Sequence, residues 1–348
     1  MENRLKQYNA IGAMKFFSAM LMIILHTSPM ASYSKAASFV LRNIVTIIAV
    51  PFFFSTSGFI LFKKIGGYSN TEKKQYFKKY IKRLLLMYII WSIIYLPFVI
   101  YGWTQDGFSI LEILSYIKRF FFVGSYSTIW FLPACAFAAL LCFYLRKIFS
   151  FKTIIIIAAV FYLCACLITN YYGLMEKIPS LSFIMDRYYS FFETAKNGLL
   201  FGFIFVAIGG VISESKWLLR ISRVKVFTLL IISGFMVALE SVLPKLCGFS
   251  SFGCDIKISL MPFTVFLMLL LINENLPDKK IYITMRKMSL MMFLSQRIFI
   301  SLANIFLTET IIHKNSLLYF LFILSTTMAF SACIIKLSEK IKLLKYCY

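Results

Sequence analysis

Charge is scarce in this chain. Asp, Glu, Lys and Arg make up 15% of its 348 residues, where a soluble domain carries about 25%. Acidic groups number only 14 and histidines only two. The connections between apolar blocks are too short to build a core of their own, which excludes a separate soluble domain, and no low-complexity stretch occurs. The eight cysteines show no metal-ligand spacing, so no metal site is expected. No nucleic-acid motif accompanies the formal net charge of +23. The absence of a convincing internal repeat weighs against an inverted-repeat transporter.

What is present is apolar sequence. Hydrophobic residues reach 60% and the mean hydropathy is +0.82. They fall into continuous blocks of the roughly 20 residues that a bilayer crossing needs. Barrel strands would alternate apolar and polar residues, so the blocks read as helices, the other structure that satisfies its backbone in lipid. The expectation is an all-α polytopic membrane bundle of about ten spans: 11–29, 44–63, 84–102, 128–145, 152–171, 197–213, 224–243, 257–273, 288–307 and 317–336. Residues 1–348 form one membrane-embedded domain on this reading, and the amphipathic stretch 108–123 lies in the interface or adds a span.

The first block is not a signal peptide, because Lys15 and His26 interrupt what should be a purely apolar core. With ten spans, most of the 37 Lys and Arg cluster in alternate connections, above all 63–83. That asymmetry places both termini in the cytoplasm and the basic loops against anionic lipid headgroups. Cys247 and Cys254 share one outer loop, where they are a disulfide or two free thiols.

An ionisable side chain inside a span costs about 2.5–3.5 kcal/mol at the bilayer centre for Lys or Arg, so such residues are the first candidates for chemistry. Lys15 and His26 are eleven residues apart, close to three helical turns, which puts them on one face roughly 16 Å apart. Lys15 either acts or snorkels to the headgroups. His26 is either an interfacial histidine or a base suited to neutral pH. Arg297 is the other costly charge and should face the bundle with a partner, while Gln296 points about 100° away. Trp130, Tyr188 and Tyr189 either stack on sugar rings or belong to the interfacial aromatic belt. Ser57-Gly58 allows close helix packing, and Glu240 is a candidate partner for His26 or Lys196.

A basic residue, ten intervening residues and a histidine, as in Lys15 to His26, resembles the opening signature of the acyltransferase-3 family. Further blocks match in order. Val50-Pro51-Phe52-Phe53-Phe54-Ser55-Thr56-Ser57-Gly58-Phe59 resembles the second-helix block. Lys82-Arg83 with Trp91, Trp130-Phe131-Leu132, Lys196-Asn197-Gly198 with Phe201-Gly202 and Gly209-Gly210, and Ser295-Gln296-Arg297 resemble the later ones. The sequence departs from the pattern where Lys15 and Lys196 replace the usual Arg, Tyr80 replaces one of two arginines, and Gln296 stands where many relatives have His.

The resemblance implies a membrane enzyme that O-acylates surface polysaccharides. Acyl-CoA, as acetyl-CoA, would be the donor substrate, approaching from the cytoplasm and held by Lys82, Arg83 and Arg297. His26 would be the general base or, less simply, an acyl carrier. Lys15 would orient the donor and Lys196 would stabilise developing negative charge. Trp130, Asn197 and Gln296 would meet a polysaccharide or glycolipid acceptor. The expected location is the bacterial cytoplasmic membrane. Two other readings stand beside this one. His26-Thr27-Ser28-Pro29 and the block after it also resemble the membrane half of serine/alanine racemases, which favours a transporter of a small solute such as serine. A glycan-assembly scaffold is the third, and it would tolerate loss of Lys15 and His26.

Overall fold

A computed structural model describes residues 8–249, 251, 253 and 255–348, with the side chains of Asp106 and Lys245 outside the description. Cys254 falls outside it, and with it the question of a bond to Cys247. The helices run α1 (Asn9–Thr27), α2 (Lys35–Val40), α3 (Ala49–Ile65), α4 (Asn70–Asp106), α5 (Ile110–Phe122), α6 (Phe131–Leu145), α7 (Phe151–Ile168), α8 (Tyr172–Met175), α9 (Pro179–Phe192), α10 (Phe203–Glu214), α11 (Arg223–Leu246), α12 (Leu260–Asn273), α13 (Lys280–Phe306), α14 (Ile311–Lys314) and α15 (Ser316–Leu337). No strand occurs among the described residues.

Local chemistry sets the ends. Ser69 and Glu72 form a reciprocal capping box at the start of α4. Ser109 caps the amphipathic α5, which buries none of its side chains. Helix α1 stops just after His26, where Ser28 takes a left-handed φ of 47° and its N–H bonds the Ile24 carbonyl at 2.9 Å.

Cross-links sort the connections into two ends. At one end Asn9 reaches the 276–278 segment, Arg146 pairs with Glu214, Arg223 with Glu274, and Arg83 bonds the Tyr348 carbonyl. At the other, Ser32 meets Ser316, Asn43 meets Ser241, and Asn170 meets Glu240. The Lys and Arg concentrate at the first end.

The centre is the pair α3 and α10. A β-carbon at Gly58 would collide with the Val206 carbonyl, and one at Gly209 with the Ser55 carbonyl, so the two backbones touch. This is the close packing expected of Ser57-Gly58. Around it sit buried phenylalanines, with Phe54 edge-on to Phe131 at 4.6 Å and to Phe201 at 5.9 Å.

The spans differ from expectation in count. Among the described residues, seven helices are long and apolar enough to cross a membrane, against ten expected. The expected spans 128–145, 197–213 and 257–273 fall on shorter apolar helices. Helix α6 has 15 residues and α12 has 14, so each rises only about 22 Å. The third opens with a π-helical turn, Gly198–Gly202, before α10. The segments leading into all three run as non-helical backbone. Such backbone is tolerated at membrane depth where it lines a cavity, and here it does.

Candidate active site

Three short helices begin at the end of the bundle where α1 finishes, and the space above them is a cavity of about 240 Å3. Its lining includes His26, Thr128, Trp130, Lys196 and Asp255. Each segment that leads into a short helix therefore contributes a polar or aromatic group: Thr128 and Trp130 before α6, Lys196 before the π turn, Asp255 before α12.

His26 occupies the last turn of α1. Its Nε2 is buried and has no hydrogen-bond partner among the described residues. Thr128 lines the same cavity, and its hydroxyl is also buried without a partner among the described residues. A buried polar atom left unsatisfied is costly. Two residues with such atoms line this one cavity, which makes it the candidate place for a ligand's donors and acceptors.

Lys196 is held by a tight strap. Its backbone N–H donates to the Thr194 hydroxyl at 3.0 Å. The next residue, Asn197, accepts from the Leu199 and Leu200 N–H groups at 3.0 and 2.9 Å and donates to the Tyr188 hydroxyl at 2.9 Å. The Lys196 ammonium forms an ion pair with Asp255.

Asp255 is fixed from its C-terminal side. Glu240 accepts from the N–H groups of Ile258 and Ser259 at 2.7 and 2.9 Å, and from the Ser259 and Tyr171 hydroxyls. Tyr162 donates to the Lys257 carbonyl at 2.7 Å, and the buried Lys257 ammonium donates to the Asn43 carbonyl at 3.1 Å. Burial alone would raise the Asp255 carboxyl. The cations Lys196, Lys257 and Arg42 outweigh it and hold the group below its ordinary value of 3.8, so it is ionised at neutral pH. Arg119 lines the cavity from α5 and pairs with Glu193 at 3.2 Å, beside the Lys118 to Glu193 pair at 3.1 Å.

Chemically, the cavity offers a free imidazole nitrogen able to take a proton from a hydroxyl. Beside it, an ammonium is placed to favour developing negative charge, and a carboxylate holds that ammonium. The charges whose fields reach His26 are Arg297, Lys196, Asp255 and Arg42.

The expected residues divide. His26, Trp130 and Lys196 meet in the cavity. Asn197 lies behind it, and its amide is spent on the helix cap and on Tyr188. Gln296 is buried in α13, with Nε2 donating to the Phe293 carbonyl at 3.1 Å and its oxygen unpartnered. Arg297 does not line the cavity, but its field reaches His26 and Tyr319, and its buried Nε has no hydrogen-bond partner among the described residues.

Lys15 belongs to a second cluster toward the basic end. Arg286 and Arg83 are the cations that act on it, with the Cys135 thiol close by and the Tyr80 hydroxyl 3.7 Å from that thiol. Lys82 instead lines a groove between α4 and α6. Asp255, Thr128, Arg119 and Arg286 were missed from the sequence. The scarcity of acids was the usable signal for Asp255, and Glu240, the acid singled out as a partner, caps α12 instead.

The ordered motifs agree with the comparison to known families. An acyltransferase-domain family matches residues 8–336. The chain belongs to the acyltransferase-3 family. Its membership makes acyl transfer the class of chemistry to consider and accounts for a multi-pass bundle. Among curated proteins, an amino-acid racemase of Enterococcus faecalis is 23% identical over 97% of this chain and 47% of its own length. A second amino-acid racemase of that organism is 32% identical over 60% of the chain and 29% of its own. The serine/alanine racemase of Enterococcus gallinarum is 24% identical over 92% of the chain and 45% of its own. The chain thus spans less than half the length of these relatives. No solved structure matches it.

Proposed function

We propose that this acyltransferase-3 chain transfers an acyl group, acetyl in the simplest case, from cytoplasmic acyl-CoA to a hydroxyl of an envelope glycan, free or lipid-linked, in the bacterial cytoplasmic membrane. The observation that carries the reading is the unpartnered His26 Nε2 in a cavity beside the Lys196–Asp255 pair. On this reading the acceptor enters from the cavity end. His26 takes the hydroxyl proton as the oxygen attacks the thioester carbonyl. Lys196 stabilises the oxyanion. The carbon–sulfur bond then breaks, and the CoA thiolate leaves with the proton that His26 returns.

The donor enters from the basic end, where Lys15, Arg83 and Arg286 meet its phosphates. Its acyl end would run along α1 over the roughly 16 Å between Lys15 and His26. The three shorter helices complete ten crossings in this proposal, and the basic end faces the cytoplasm.

The test is O-acetyl content of the surface polysaccharide by NMR in wild type, deletion, complemented deletion and deletion carrying His26→Ala. Acetyl lost on deletion and restored only by the wild-type gene supports both transfer and the role of His26.

A second reading is amino-acid handling, favoured by the relatives named as racemases and by a cavity that offers one cation and one anion to a zwitterion. Unchanged acetylation together with deletion-dependent uptake of labelled serine would replace the first reading with this one.

A further inference from the structure

The groove that holds Lys82 is built differently from the rest of the basic end. Lys74, Lys78 and Lys82 are four residues apart along α4, so they line up on one face over about 12 Å. Lys147, just past the end of α6, stands across from them, its ammonium over the Tyr144 ring at 4.3 Å. Between the two helices runs a groove of about 860 Å3. Its walls below the lysines are Ile81, Leu85, Ile89 and Leu140, and buried Phe77, stacked on Phe143 at 3.9 Å, forms part of the floor.

Two features set the groove apart. No carboxylate lines it, and none of its four lysines is ion-paired among the described residues. Nearby cations on the same end do have partners, as in Arg146 with Glu214 and Arg223 with Glu274. The position of the lysines is also specific. Helix α4 has 37 residues and is about 55 Å long, against a hydrocarbon thickness of about 30 Å. Residues 84–105 carry no charge, so the hydrocarbon begins near Leu84 and the lysines stand in the headgroup layer. The groove therefore presents a positive head region followed by an apolar slot.

We propose that this groove binds an anionic diacyl phospholipid, with its phosphate among Lys74, Lys78, Lys82 and Lys147 and one chain along Ile81, Leu85, Ile89 and Leu140. Basic pockets between membrane helices favour such headgroups. Lys82 then serves lipid binding, and the donor is left to Lys15, Arg83 and Arg286. The proposal does not depend on the reaction the chain catalyses.

The test is a native mass-spectrometric titration of the detergent-purified full chain with phosphatidylglycerol and with phosphatidylcholine. Phosphatidylglycerol should bind more tightly. Replacing Lys74, Lys78, Lys82 and Lys147 by Gln together should weaken it about tenfold or more. Replacing the exposed Lys216, Lys225, Lys336 and Lys340 by Gln should change it by less than about twofold. Leu140→Trp, which fills the slot and keeps every charge, should also weaken it. Equal effects of the two quadruple variants, or no effect of Leu140→Trp, would show diffuse surface attraction and overturn the proposal. Displacement of the lipid by long-chain acyl-CoA at lower concentration than by added phosphatidylglycerol would make the groove a donor entry and overturn it as well. If the groove quadruple variant loses its helical circular dichroism, Lys74→Gln with Lys78→Gln and Leu140→Trp decide the matter.

Discussion

The two ends of α1 carry the same kind of costly residue and treat it in opposite ways. At one end Lys15 lies among cations, Arg83 and Arg286, with the neutral Cys135 and Tyr80 beside it. At the other, His26 faces a cavity with a bound ion pair and an unmet nitrogen. A cluster of cations favours a polyanion. In the proposed reaction, the imidazole beside a fixed ammonium carries the proton transfer. On the proposed function, the first end binds the phosphorylated donor and the second carries the chemistry.

The sharpest way to break this division is His26→Ala. It should lower transfer by about 10²-fold or more while leaving expression and thermal unfolding unchanged. Wild-type acetylation by NMR in this variant would remove the chemistry from that end.

The ion pair comes next. Lys196→Met should lower transfer by about tenfold to a hundredfold, and Asp255→Asn by less, because the ammonium would remain. The double variant should lose less than the two single losses combined, since each residue acts through the other. Strict additivity in a steady-state rate cycle would separate them.

Lys15→Gln should act on the donor. The expected result is a raised KM for acyl-CoA, severalfold, with kcat changed little. A loss confined to kcat would move Lys15 into the chemical step and blur the two ends.

The smallest expected effect is with pH. The Asp255 carboxyl is held below 3.8 in the folded chain. A depressed carboxyl keeps its contribution above its ordinary value and loses it as pH falls through the lowered one. Thermal stability should therefore show no Asp255-dependent change from pH 7 down to about 4, with a wild-type loss below that which Asp255→Asn lacks. An Asp255-dependent change between pH 5 and 7 would contradict the pairing.

Helix positions were readable because apolar runs are local. The reading of 108–123 as amphipathic matches α5, and Ser57-Gly58 lies where α3 touches α10. Three spans were harder to read. Their expected limits ran into the segments around Thr128, Lys196 and Asp255, whose apolar flanks look helical although the backbone there is turned to line a cavity. Asn197 shows the same limit at one residue. Its place in a family-like block pointed to substrate, and only the folded chain shows its amide capping the π turn.

By itself, the sequence determined the all-helical bundle, the basic end and the family, because these follow from composition, period and ordered motifs within single segments. Tertiary structure alone decided that Lys196 meets Asp255, 59 residues away, and that Glu240 serves a helix cap rather than His26. It also left His26 Nε2 without a partner among the described residues. No periodicity within one helix encodes which charge of another segment packs against it, and in a chain this poor in acids that choice fixes the site.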